Sequence, residues 1–229
     1  MNTNDLTEKN PLRALYRQDG GGPRMGLVKA RAGLGKTAIL VQIALDSLMC
    51  GRQVLHVSIG QSLDKTRTWY DDIFKDIVAT MQVSSTLELA NQINRNRLIM
   101  TFKESSFSRP KLEERLNDLL YQNIFRPSCM IIDGYDFQNC DLQMIADIRE
   151  LAQAMEMETW FSATIHRDDP SPCPGVEDLF DTIIALEPRS DDKCIALNVV
   201  KDTTANATAG KVLNLDPSTL MLKEAYDKC

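Results

Sequence analysis

The chain predicts an α/β domain: a mainly parallel central sheet with helices on both faces and an antiparallel C-terminal edge. Three observations carry the prediction. Short apolar, β-rich runs alternate with longer amphipathic stretches along most of the 229 residues, as they do where strands buried on both faces are joined by crossover helices. The first run leads through a Gly-rich turn into a helix, ARAGLGKTAIL over residues 30–40, the setting in which the phosphate-loop pattern G-x-x-x-x-G-K-[ST] has meaning. The last runs lie too close together for helices between them and read as antiparallel neighbours.

Gly20-Gly21-Gly22-Pro23 is a breaker cluster, so residues 1–22 form an N-terminal extension, flexible or helical, and the domain occupies 23–229. The first strand is 25–29. After Thr37, the residues Ala38, Ile39, Val41, Ile43, Ala44, Leu45 and Leu48 give a largely apolar helix that Gly51 stops. Strand 53–59 follows, then a helix over 64–81 with Ile73, Phe74, Ile77 and Val78 on one side. Strand 97–102 precedes a helix over 109–121, where Leu112, Leu116, Leu119 and Leu120 recur at helical spacing. Strand 128–132, helix 141–155 and strand 159–165 continue the alternation. The stretch DDPSPCPG at 168–175 is rich in breakers and forms a loop. Strands 180–186 and 194–200 come next, and 211–215 pairs with 220–222 at the end.

Hydrophobic residues make up 43% of the chain and charged residues 25%, enough to bury a sizeable core. The net charge of −6 excludes a general nucleic-acid footprint, though not a local patch. No apolar run is long enough for a membrane helix, and the polar start has no signal-peptide core. The six cysteines at 50, 129, 140, 173, 194 and 229 include no C-x-x-C pair, which argues against zinc. They read as free thiols of a cytoplasmic protein.

The turn supplies the chemistry of a nucleotide site. Gly33 and Gly35 let backbone N–H groups converge on phosphate oxygens. The helix starting near Lys36 adds free N–H groups and the positive end of its dipole. Lys36 places an ammonium between the β- and γ-phosphates, and Thr37 a hydroxyl on Mg²⁺. Ala30 stands where the pattern has its first Gly, and a methyl is tolerated there if φ is negative. Ala30, Arg31, Gly33, Leu34, Gly35, Lys36, Thr37 and Ala38 are therefore the expected lining for ATP. Asp133 ends the apolar run CMIID, which puts its carboxylate at the C-terminal edge of the sheet beside the loop. It is expected, with Thr37, to support the metal. Asp136 is the weaker alternative.

In this order of elements the chain resembles the RecA-like ATPases, and most closely the core of replicative hexameric helicases of the DnaB type. The resemblance runs from about residue 23 to 222, through RQVLHVSI, RLIMTF, SCMIIDGYDF, TWFSATIHR and CIALNVVKD. The phosphate loop of that family often begins Ala-Arg, as Ala30-Arg31 do here. KaiC-like ATPases share the layout and stand as the near alternative. The resemblance implies a RecA-like P-loop NTPase that binds ATP with Mg²⁺ and forms a homo-oligomer.

Several positions depart from the family. It places a Glu just after the second strand as general base, where this chain has Gly60. Gln61 follows and can orient water but is a poor proton acceptor. Asp64 lies further on, with an N-cap as the plainer reading. Thr164 matches the polar sensor at the end of the TWFSATI strand, where the helicases have Gln, and His166 follows it. Lys201 matches a lysine that reaches into the neighbouring subunit, while Thr203 replaces the accompanying arginine. Gln61, Thr164 and Lys201 are thus the expected catalytic residues. The expected function is ATP binding with slow hydrolysis. A nucleotide-dependent regulatory or scaffold protein is the alternative, and a DNA-dependent helicase or recombination ATPase is the third reading.

Apart from Arg167, the two loops that face DNA in such motors, GYDFQNCD and HRDDPSPCPG, carry no basic residue, and phosphate contacts need Lys or Arg. Single-stranded DNA is therefore expected to bind more weakly than about micromolar at physiological salt. A fluorescence-anisotropy titration that finds tighter binding with a steep salt slope overturns this.

Overall fold

The computed structural model describes residues 10–14, 24–81, 86–166, 171–189, 194–203 and 208–223. These form one sheet in the order β3-β2-β4-β5-β1-β6-β7-β8-β9. The strands are β1 (Met25–Ala30), β2 (Val54–Ile59), β3 (Arg97–Phe102), β4 (Cys129–Asp133), β5 (Glu158–Thr164), β6 (Thr182–Pro188), β7 (Ile195–Asp202), β8 (Val212–Leu215) and β9 (Leu222–Lys223). The first six run parallel to one another, and β7, β8 and β9 add antiparallel pairs. The helices are α1 (Lys36–Met49), α2 (Leu63–Met81), α3 (Thr86–Asn96), α4 (Arg109–Tyr121) and α5 (Leu142–Ala154). The α/β class, the mainly parallel sheet and the antiparallel C-terminal edge follow the sequence pattern.

Alternation along the strands divides the core. Val28 and Ala30 of β1 face a cluster built from α1, α2, α3 and the C-terminal strands. Met25 and Leu27 face a second cluster built from α4, α5 and the loops after β4 and β5. This is the period-two consequence of a strand buried on both sides. No helix among the described residues is long and apolar enough to cross a membrane.

Three features differ from the sequence reading. Helix α3 was not expected. Only Leu89 and Ile93 of its eleven residues are buried, so the apolar signal amounts to one i, i+4 pair. Residues 11–14, read as part of an extension, form a 3₁₀ turn whose Leu12 is wholly buried against α1. Asn10 and Arg13 beside it hydrogen-bond Asp46 Oδ1 at 2.8 and 3.3 Å. The rest of the expected extension, 1–9 and 15–22, lies outside the described residues. Finally, Cys50, Cys129, Cys140 and Cys173 are free, but Cys194 is disulfide-bonded. Sequence spacing does not report which thiols folding brings together. Cys229 lies outside the described residues.

Because Leu12 fills space over α1, Leu12→Ala is expected to destabilise the protein by about 2–5 kcal/mol, the usual cost of a large-to-small change in a packed core. Urea denaturation monitored by circular dichroism checks it.

Candidate functional site

The parallel strands end together along one edge of the sheet. Ala30 ends β1 and is the register partner of Thr164, the last residue of β5. Asp133 ends β4 opposite Ser58 of β2. Residues far apart in the chain therefore converge at the carboxyl edge, where open α/β sheets place their ligand crevices.

The loop from Arg31 to Gly35 joins β1 to α1. Gly33 and Gly35 have φ of 80° and 89°, the left-handed region that glycine enters without a Cβ penalty. A Cβ on Gly35 would also stand 3.1 Å from Leu215 Cδ2, so the turn is held closely against β8. Gly35 is the N-cap of α1 and makes no side-chain capping bond. The N-terminal amides of α1 are thus left to an anion and the helix dipole favours one there. Lys36 Nζ folds back onto the carbonyls of Ala30 and Arg31, each at 3.3 Å. Burial lowers its pKa, and the negative charge of Asp133 opposes the shift. Arg31 and Gly33 are exposed, Leu34 packs on the core, and Ala38 is buried.

Thr37 Oγ1 donates to Asp133 Oδ2 at 2.8 Å. Ser162 Oγ donates to Asp133 Oδ1 at 2.5 Å and accepts from the Gly134 amide at 3.3 Å. Asp133 is only 4% exposed, and these two hydroxyls satisfy a carboxylate that would otherwise be costly to bury. Sequence reasoning missed Ser162, because nothing in ETWFSAT sets it apart from Glu158, Thr159 and Thr164 on the same strand. Among the described residues no three His, Cys, Asp or Glu side chains cluster as a metal cage. A cation here would rely on the Thr37 hydroxyl, the Asp133 carboxylate, water and ligand oxygens, which suits Mg²⁺ beside phosphates.

The other expected residues are placed as follows. Thr164 is exposed next to Ala30. The rings and amides of His166 and Gln138 meet through their Nε2 atoms. Gln61 is half-buried at the end of β2. Asp64 does not cap α2. Ser62 does so, its Oγ accepting from the Lys65 amide at 3.2 Å. Asp136 is occupied as a turn cap, accepting from the Gln138 amide and Asn139 Nδ2 at 3.0 and 2.7 Å, and the Asn139 contact leads in lowering its pKa. Lys201 pairs in register with Ile183, itself level with Leu27, three residues below Ala30. Its Nζ donates to the Glu177 carbonyl at 2.9 Å. It therefore belongs to no part of its own chain's loop site. Thr203 Oγ1 donates to the Asp181 carbonyl at 3.3 Å. Arg167 and residues 168–170 lie outside the described residues.

Compared with the models of known protein families and with curated protein sequences, the chain matches none.

Under the site, His56 of β2 is fully buried, with Nδ1 3.0 Å from the Tyr70 hydroxyl. Burial drives its pKa from 6.5 to about 4, the Asp133 charge opposing and the Arg97 charge adding. The folded chain thus holds this ring neutral, while the unfolded chain protonates it near its ordinary value. The linked stability is complete above pH 6.5 and falls as pH drops from 6.5 towards 4. At pH 5 the loss is about 2 kcal/mol. Denaturant midpoints at pH 7.5 and pH 5 check this, and His56→Gln is expected to remove that share of the drop.

Proposed function

We propose that the chain binds ATP with Mg²⁺ in the loop between β1 and α1 and hydrolyses it slowly, as a RecA-like P-loop ATPase. The observation that carries the reading is the hydrogen bond from Thr37 to Asp133, 2.8 Å long between residues 96 apart in the chain. It joins the hydroxyl that would touch the metal to a buried carboxylate suited to ordering the metal's water. Mg²⁺ would be held by Thr37 with Asp133 behind it and would neutralise charge on the phosphates. Gly33, Leu34 and Gly35 would offer backbone N–H groups, Lys36 its ammonium, and Ala30, Arg31 and Ala38 the flanks. Thr164, beside Ala30, is within the same edge and would contact the terminal phosphate.

The reading of slow turnover rests on position 60, where a glycine gives no proton acceptor at the end of β2 so that any base must reach in from a neighbouring segment, and on Gln61, which would only orient water. Lys201 lies away from its own loop, so a role at a phosphate requires a second copy of the chain. We accordingly extend the proposal to a homo-oligomer. A regulatory or scaffold protein that binds ATP without turning it over is the second reading, favoured by Gly60 and by the engagement of Lys201 with Glu177. Steady-state turnover with and without single-stranded DNA separates these readings from a DNA-dependent motor.

Lys36 provides the only side-chain cation between Gly33 and Thr37. Lys36→Ala is expected to cost about 1.5–3 kcal/mol of binding, roughly tenfold to a hundredfold in ATP affinity. Calorimetry on both proteins measures it, and equal affinities would remove the loop as the ATP site.

A further inference from the structure

A carboxylate stands over the glycine that lacks one. A Cβ built on Gly60 would lie 2.5 Å from Glu104 Oε1 and 3.0 Å from Glu104 Cγ. Gly60 itself has φ of 72°. Its amide donates to the Phe102 carbonyl at 2.9 Å, so the end of β2 is bonded to the end of β3 just where Glu104 begins. The space above residue 60 is filled by a side chain from the turn that follows the neighbouring strand.

That carboxylate is backed by fixed backbone. Glu104–Ser106 is a 3₁₀ turn closed by the Ser106 amide and hydroxyl on the Lys103 carbonyl at 2.9 and 3.0 Å. The end of β3 is braced by Arg115, which lies 4.3 Å from the Phe102 ring centroid and donates to the Thr101 carbonyl at 3.2 Å. Gly60 comes two residues after Ser58, the register partner of Asp133. Glu104 is therefore on the same edge as the Thr37–Asp133 pair, next to the strand that neighbours β4. The side chain is exposed and borders an open cleft of ≈ 800 Å³ that Gly60, Gln61, Lys103 and Arg115 also line. Water has free access to it.

We propose that Glu104 is the general base of hydrolysis, taking from the turn after β3 the role that residue 60 cannot fill. The proposal rests on the ATP reading above. A water molecule between Glu104 and the γ-phosphate gives its proton to the carboxylate while its oxygen forms a bond to phosphorus. The bond from phosphorus to the β–γ bridging oxygen breaks, and ADP leaves with that electron pair. The products are ADP and inorganic phosphate, and the proton passes from Glu104 to solvent through the cleft. Gln61, in the same cleft, orients the water. A glycine at 60 suits the left-handed φ of 72° and leaves the carboxylate where it stands.

The test uses the full chain with Mg·ATP, reading binding by calorimetry and turnover by phosphate release. Glu104→Gln is expected to keep the ATP affinity and to lower turnover by about a hundredfold or more, with Glu104→Asp recovering part of the loss. Gly60→Ala is expected to lower turnover as well, both by displacing the carboxylate and by straining the backbone at φ 72°. Glu104 is exposed, so its variants leave the fold intact as a circular-dichroism melt would verify. A fall of less than about tenfold in Glu104→Gln overturns the assignment and leaves ATP binding standing. So does an unsubstituted protein that binds ATP without releasing phosphate. Failure of the unsubstituted protein to bind ATP overturns the proposed function itself, and this assignment with it.

Discussion

Helix α1 has no solvent face, and that constraint organises the molecule. Every residue from Ala38 to Met49 is buried, so one layer of sheet below is not enough. Helices α2 and α3 cover it from outside, and Leu12 with strands β8 and β9 completes the enclosure. A helix that is apolar all round is stable only when surrounded in this way. Its polar residues must then be met inside. Asp46 is met by Asn10 and Arg13. Gln42 gives a hydrogen bond to the Leu220 carbonyl at 2.8 Å and receives one from the Leu222 amide at 3.4 Å. Segments from both ends of the chain are thereby tied to the helix that carries Lys36 and Thr37.

The same enclosure holds the loop in shape. Leu215 and Leu220 come from the antiparallel edge and press on Gly35, while Ile39 N–H bonds the Gly35 carbonyl at 3.0 Å. A loop that presents backbone N–H groups to an anion works only if it does not have to reorganise. The C-terminal strands, which bring no candidate catalytic group to their own loop, contribute that rigidity.

Electrostatics then divide the edge of the sheet. Asp133 is buried, yet two hydroxyls satisfy it. His56, behind it on β2, is kept neutral by desolvation. Lys36 is partly desolvated but bonded to carbonyls. The charges nearest the loop are therefore held by neutral hydrogen-bonding partners from the chain, which leaves them free to respond to an ionic ligand. Glu104 and Gln61, one strand further out, sit in a wet cleft instead.

The sequence by itself determined the class of fold, because strands buried on both faces must be continuously apolar and alternate with helices. It located the loop, since Gly33, Gly35, Lys36 and Thr37 are neighbours in the chain, and it found Asp133 because an apolar run ending in an acid marks the carboxyl edge. It did not reveal α3, whose two buried residues leave almost no periodicity, nor the burial of Leu12, which depends on a helix more than twenty residues away. It matched Lys201 to a lysine that reaches a neighbouring subunit, and only the antiparallel register of β7 shows that residue level with Leu27, three residues below Ala30. Ser162 and Glu104 were invisible for a related reason. Each is one polar residue whose meaning comes from the strand beside it: Ser162 from β4, Glu104 from β2. Sequence reports what a residue follows, and only the pairing of strands decides what it faces.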